Sequence, residues 1–369
     1  MSHSRSAFGA SSSRGLSPDP RGPVDLLCLA KGWAARPGAA CKARQRPGRA
    51  GSAAAAWLGL AIWASSAAGQ GTAYVSSEKD DALTLIDLAT LSVKGTLPTC
   101  QRGRHLQITP DRKLLVACTD ANAADLIDPA TGRSLRRIPL GDAPEAFDLS
   151  PDGKVIYVSN EDAGALSSID AASGKLLKSV KVGEEPEGVK VSADGKTVYV
   201  TSEVASMVHV IDTASGRVVK NIPVGKRPRR MALTPDGKEL WVTNELGASV
   251  SIVSTATQAV SATLTFELKG ARAEDITPVG IQISRDGKRA FVALGRANHV
   301  AFVDVPARKV ASLVLVGKRA WNVALDKAEA RLFVVNGLSD DVTVVDVASA
   351  KALKSIPVGR VPYGLVTVE

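Results

Sequence analysis

The sequence is short of the groups that most often carry chemistry. Aromatic residues make up only 4% of the 369-residue chain, which holds four Cys, four His and three Met. So few cysteines exclude a disulfide-dense scaffold. No Cys-x-x-Cys-His occurs, which excludes covalently attached c-type haem. A glycine-rich phosphate cradle and a nucleophile elbow are both missing, and the many Gly residues read as turn residues. No 3.6-residue apolar period is visible, which argues against a helical solenoid. The one compact apolar run, Ala53–Ala64, is too short to span a bilayer as a stable helix.

Charge of one sign is plentiful only at the N-terminus. The net charge is +9, and residues 1–70 hold nine of the 46 Lys/Arg but two of the 37 Asp/Glu, a net +7. Residues 71–369 therefore carry only +2. Nucleic-acid binding loses its main electrostatic argument. Residues 1–52, rich in Ala, Gly, Ser, Pro and Arg, cannot bury enough surface to order themselves. The basic stretch Lys42–Arg49, the apolar run and Ser66-Ala67-Ala68 follow one another as a secretory signal would, with a cut after Ala68. The expected organisation is an N-terminal extension and signal peptide over 1–68, then a periplasmic domain over 69–369.

That domain is a repeat. An apolar residue followed by Asp recurs at Ile86-Asp87, Ile127-Asp128, Ile169-Asp170, Ile211-Asp212, Val303-Asp304 and Val345-Asp346, with Val253-Ser254 as a degenerate copy. The steps are 41–42 residues except for one of 50. Tyr157-Val158, Tyr199-Val200 and Trp241-Val242 keep the same register, as do the turns Pro151-Asp152-Gly153-Lys154 and Pro235-Asp236-Gly237-Lys238. Each copy contains four short β-rich segments, such as Gly188–Ser192, Thr197–Thr201, Val208–Asp212 and Arg217–Val224. That is the pattern of a propeller blade. Gly71–Val75 matches a second strand and Gly364–Val368 a first strand, so the ends complete one another. An all-β, seven-bladed propeller results, with an insertion around Leu268–Asp275.

The register also exposes positions that do not repeat. The start of each inner strand carries Arg104, Glu145, Glu187, Arg229, Val279, Trp321 or Tyr363. The next position carries His105, Arg230 and Asn322 among small residues. Glu78, Glu161, Glu203 and Glu245 close the second strands on the same face. Such a funnel is read as a ligand- or partner-binding ring, with solvated charge around a water-filled channel as the other reading. No catalytic, metal-binding or cofactor-binding residues are assigned. Cys100 and Cys118 read as small half-buried residues, although an oxidising compartment would permit a disulfide between them.

Tyr157-Val158-Ser159-Asn160-Glu161 and Trp241-Val242-Thr243-Asn244-Glu245 resemble the repeat core of the YVTN β-propeller family. Thr265-Phe266-Glu267, Thr277–Ile281, Phe291–Asn298 and Val316–Trp321 resemble the subfamily associated with pyrroloquinoline-quinone (PQQ)-dependent alcohol catabolism. Cys100, where a repeated Gly would fall, departs from the pattern. The resemblance implies a periplasmic protein acting beside the machinery of that catabolism, and the expected role is a monomeric, non-catalytic binding or scaffold protein. Its implied partners are a quinoprotein alcohol dehydrogenase or ABC-type transporter components. The alternative is a propeller enzyme, lactonase-like or tetrapyrrole-handling, that works at the funnel.

Overall fold

A computed structural model describes residues 71–369; the expected signal segment lies outside the described residues. Among the described residues, twenty-eight strands form seven four-stranded antiparallel sheets. Blade 1 is β28 (Pro362–Val368), β1 (Thr72–Ser77), β2 (Ala82–Asp87) and β3 (Ser92–Pro98), ordered from the axis outward. Its inner strand comes from the other end of the chain, with Val75 opposite Leu365 and Tyr74 opposite Val366. The ring is thus closed by hydrogen bonds, and β1 is not left as an open edge. The remaining blades follow in chain order, and their inner strands are β4 (Gly103–Ile108), β8 (Pro144–Leu149), β12 (Pro186–Val191), β16 (Pro228–Leu233), β20 (Ile281–Ile283) and β24 (Ala320–Leu325).

The core lies between blades. Middle strands are covered on both faces, so β13 (Thr197–Ser202, TVYVTS) carries Val198, Tyr199 and Val200 without alternation and is buried from Val198 onward. One apolar layer joins Trp241, Val250 and Ile252 of blade 5 to Val292, Ala301 and Val303 of blade 6. The outermost strand meets solvent on most positions, which leaves Leu176 and Leu177 half exposed.

Hydroxyls on the second strands of blades 1, 3, 4 and 5 key each of those blades to the next at the funnel. Ser76 Oγ donates to the Arg104 carbonyl at 2.6 Å, Ser159 Oγ to Glu187 at 2.7 Å, Thr201 Oγ1 to Arg229 at 2.9 Å and Thr243 Oγ1 to Val279 at 2.7 Å. Buried hydroxyls must find partners, and here those partners are the backbones of the non-repeating positions. Gly188 is required by the same closeness, since a Cβ there would run into the Arg229 carbonyl.

Blade 6 departs from the pattern. The insertion between β19 (Ala259–Thr265) and β20 is pinned by buried Phe266 and Ile276, and β20 is cut to three residues. Thr277 Oγ1 accepts the Arg296 N–H at 2.8 Å and lies so close to Gly295 (φ +50°) that no side chain fits there. The cysteines pair: Cys100 and Cys118 form a disulfide with Cα atoms 5.7 Å apart, both fully buried. The bond that an oxidising compartment would permit is thus formed, and the two residues are fully rather than half buried. The register explains it, because Gly103 pairs with Cys118 and the preceding loop folds back across that strand end.

Candidate functional site

The mouth of the channel opens into a cavity of about 450 Å³. Six of the nine predicted funnel residues line it: Arg104, Glu145, Glu187, Arg229, Trp321 and Tyr363. So do all four of the Glu residues that end second strands. His105 and Asn322 do not; one residue further along the inner strands, they line a separate cavity toward the opposite opening. Arg230 lies between the two, giving an N–H to the Tyr363 hydroxyl and pairing in charge with Glu187, 3.1 Å away. Tyr363 donates to Glu187 Oε1 at 3.2 Å, so these three side chains form a polar floor beneath the cavity.

The charges at the inner-strand starts are buried and paired rather than solvated. Arg104 is 9% exposed, contacts Glu145 directly and stands 3.2 Å from Glu78. Arg229 is 6% exposed, contacts Glu203 and lies 3.3 Å from Glu187 and 3.7 Å from Glu245. Arg227 reaches Glu203 at 2.7 Å and Glu245 at 3.1 Å. The aromatics belong to the same network. The Arg104 guanidinium lies 4.4 Å over the Tyr363 ring and Arg229 5.1 Å over Trp321. Each contact adds attraction between a cation and the negative ring face.

Crowding splits the carboxyls into different states. Burial, then the charge of Glu187, pushes Glu145 up to about 9, against the pull of Arg104. Glu145 therefore keeps its proton at neutral pH. Glu187 is as deeply buried, but Arg229, Arg230 and Arg104 overcome that burial and hold it well below the usual carboxylate range. Glu203 is pushed up to about 7 by burial and by Glu187 and Glu245, while Arg229 and Arg227 pull the other way. Glu145 Oε1 and Glu203 Oε2 accept no hydrogen bond from any described donor, and Arg229 Nε donates to none. One cavity thus holds a protonated carboxyl, a carboxylate poised near neutrality and an unoccupied guanidinium N–H. That set suits general acid–base chemistry on a carbonyl compound. Elsewhere, burial and Arg230 push His105 down to about 3, so it stays neutral, packed edge-on against Phe147 at 4.9 Å. Among the described residues, no three His, Cys, Asp or Glu cluster so as to hold a metal ion. None of the described helices is long and apolar enough to cross a membrane.

Four arginines of the cavity escaped the strand register: Arg102, Arg227, Arg296 and Arg319. A signal for three of them exists two residues before each inner-strand start. There Arg102, Ala143, Glu185, Arg227, Arg319 and Val361 all adopt positive φ, between 44° and 58°. The carbonyl of each accepts the N–H that follows the second strand, for instance Glu203 to Glu185 at 3.0 Å and Glu245 to Arg227 at 2.8 Å. A bulky residue held in the left-handed region is unusual, and Arg recurs there three times. Arg296 sits on the blade 6 loop that the insertion remodels.

The class of protein is therefore a seven-bladed β-propeller with a buried ionic site at one mouth of its channel. Residues 136–234 match the model of the YNCE-like β-propeller family, and residues 213–356 that of the seven-bladed β-propeller lactonases. No curated protein matches the chain. Similar solved structures include Kuenenia stuttgartiensis hydrazine synthase, at 25% identity and TM-score 0.69, covering 76% of this chain and 93% of that one. The periplasmic gluconolactonase PpgL of Pseudomonas aeruginosa is similar at 22% identity and TM-score 0.68, over 81% of this chain and 99% of that one. Dihydro-heme d1 dehydrogenase NirN matches at 16% identity and TM-score 0.62, over 80% and 75%. The last two likenesses speak for the fold alone. The lactonase match overturns the expected role as a non-catalytic scaffold for PQQ-dependent alcohol catabolism. The physical reason lies in the funnel, whose carboxyls are desolvated and held in opposite protonation states rather than displayed to solvent as a docking rim.

Proposed function

We propose that the protein is a lactonase-like propeller enzyme, hydrolysing a small lactone in the upper cavity. The observation that carries this reading is the pairing of Glu145 and Glu203 in one cavity with their proton affinities pushed to different values. The lactonase family match over 213–356 supports it. Glu203, ionised, takes a proton from water while the water oxygen bonds to the lactone carbonyl carbon. The oxyanion that forms is held by the Arg229 N–H, a donor already in place before the reaction. When the tetrahedral species collapses, the ring C–O bond breaks. The departing alkoxide takes the Glu145 proton, and a hydroxy acid leaves. Exchange with solvent then returns a proton to Glu145 and removes one from Glu203. A periplasmic location, drawn from the order of the leader, accords with the likeness to a periplasmic gluconolactonase.

The test is hydrolysis of glucono-1,5-lactone and dihydrocoumarin, followed by acid release. Wild type is expected to turn over at least one of them above the spontaneous rate. Glu203→Gln should lower kcat/KM by roughly 10²–10⁴-fold, the usual worth of a general base. Equal rates for variant and wild type would remove Glu203 from the mechanism.

A further inference from the structure

The cavity wall is not uniform, and its departure from seven-fold repetition describes the ligand. Blades 1, 3, 4 and 5 each end their second strand with Glu; blade 2 carries Thr119 there, and the adjacent blades 6 and 7 carry Gly295 and Gly337. Acid is therefore missing from both blades of that sector, and cation takes its place. Arg102, Arg104, Arg227 and Arg229 all have a carboxylate within 3.5 Å. Arg296 has no ion-pair partner among the described residues and is exposed. Arg319 has only Glu245, 4.0 Å away and already engaged by Arg227 at 3.1 Å. Its guanidinium lies 4.6 Å over Trp321, crowded by the charges of Arg296, Arg229 and Arg227.

The same sector is apolar at its rim. Leu246 on blade 5 and Leu338 on blade 7 are 56% and 64% exposed, line the cavity and flank Arg296 in the ring order of the blades. The corresponding loop positions on blades 1–3 carry Lys79, Asp120 and Asp162, and the exposed Val204 of blade 4 is not part of the cavity lining. Trp321 lies below the rim, with its Nε1–H buried and without an acceptor. Two uncommitted guanidinia, an indole and exposed leucines make a poor site for a neutral polyol, which offers hydroxyls and no anion.

We infer that the sector of blades 5–7 binds the non-reacting part of an amphipathic anionic lactone, an apolar or aromatic body bearing one anionic group. Arg296 and Arg319 take the anion, with the planar fork geometry that suits carboxylate or phosphate. Trp321, Leu246 and Leu338 cover the apolar body. This deepens the lactonase reading and rests on it for the word lactone, whereas binding of the anion and the apolar body does not depend on turnover.

Calorimetric binding with probes that carry no lactone bond separates the two ideas. The probes are 3-phenylpropionate, phenyl phosphate, the neutral 3-phenylpropanamide and the polar anion gluconate. At least one aromatic anion should bind tenfold or more tightly than the amide and than gluconate. Tighter binding of phenyl phosphate assigns the anion as phosphate, and tighter binding of 3-phenylpropionate assigns carboxylate. Arg296→Met with Arg319→Met should abolish the preference over the amide. Leu338→Ser, at an exposed position that cannot cost much stability, should shrink the preference over gluconate. Equal affinity for all four probes, no binding of any, or a preference that survives the double arginine variant would overturn the inference. Lactone turnover without selective binding would leave the enzymatic reading standing, and selective binding without turnover would leave only the ligand class.

Discussion

Two sets of acidic residues in this propeller share a repeat and a charge but not a physical role. At the hairpins after the inner strands, Asp152, Asp194, Asp236 and Asp286 each accept a Ser or Thr hydroxyl and a backbone N–H from their own turn, as Asp152 does from Ser150 at 2.6 Å and Lys154 at 3.1 Å. These exposed carboxylates sit below their usual range through local hydrogen bonds. At the funnel, Glu145, Glu187 and Glu203 are buried against one another and against arginines from neighbouring blades. There the same chemistry gives one group protonated, one firmly ionised and one near neutrality. Identical turns hold the fold, and dissimilar funnel positions hold the chemistry. Burial decides which.

The comparison breaks most severely if the ring is opened. Deleting Tyr363–Glu369 removes most of the inner strand of blade 1 together with the Tyr363 floor, leaving β1 unpaired on its inner side. Loss of the cooperative thermal transition and aggregation are expected, and a monomeric truncated protein melting like wild type would exclude this closure. A smaller but still large effect should follow Arg229→Met, which leaves Glu187 and Glu203 buried with fewer cations. Breaking such a buried pair costs about 3–5 kcal/mol. The turn counterpart, Asp194→Asn, should cost under about 1 kcal/mol, in keeping with an exposed local contact. Chemical denaturation of both variants measures the contrast, and equal costs would erase it.

Glu145→Gln sharpens the comparison further. The folded protein keeps the Glu145 proton to about pH 9, while an unfolded chain releases it near 4.5. Wild-type stability from this group is therefore full below pH 4.5 and falls as pH rises toward 9. The Gln variant lacks that decline, so its stability relative to wild type should improve steadily from pH 5 to pH 9, by on the order of a few kcal/mol. A constant difference across that range would place an ionised Glu145 in the funnel.

The fold could be read from residues because blade interiors repeat: the apolar-Asp ends, the Tyr-Val pairs and the Asp-Gly-Lys turns each mark a strand boundary. The funnel residues could be read for the opposite reason, as the inner-strand starts where the register holds and the residue type does not. Arg296 could not, since it lies on the loop that the insertion at 266–280 remodels, and Arg319 shows only as one of three Arg standing two residues before an inner-strand start, where side-chain direction depends on a left-handed residue. The Cys100–Cys118 bond depended on how one loop folds back, which strand spacing does not state. Nor does residue type reveal that Glu145 and Glu187, both at inner-strand starts, hold their protons so differently. That difference comes from how many arginines neighbouring blades bring to each.

The most direct test of the account is the pH dependence of kcat/KM for lactone hydrolysis between pH 5 and pH 10. Glu203 must be ionised and Glu145 protonated for the reaction to run. Activity should rise through an apparent pKa of about 7 and fall through one of about 9, with the rising limb lost in Glu203→Gln and the falling limb lost in Glu145→Gln. A profile flat across this range after correction for spontaneous hydrolysis, or the same bell in both variants, would contradict acid–base catalysis by the funnel.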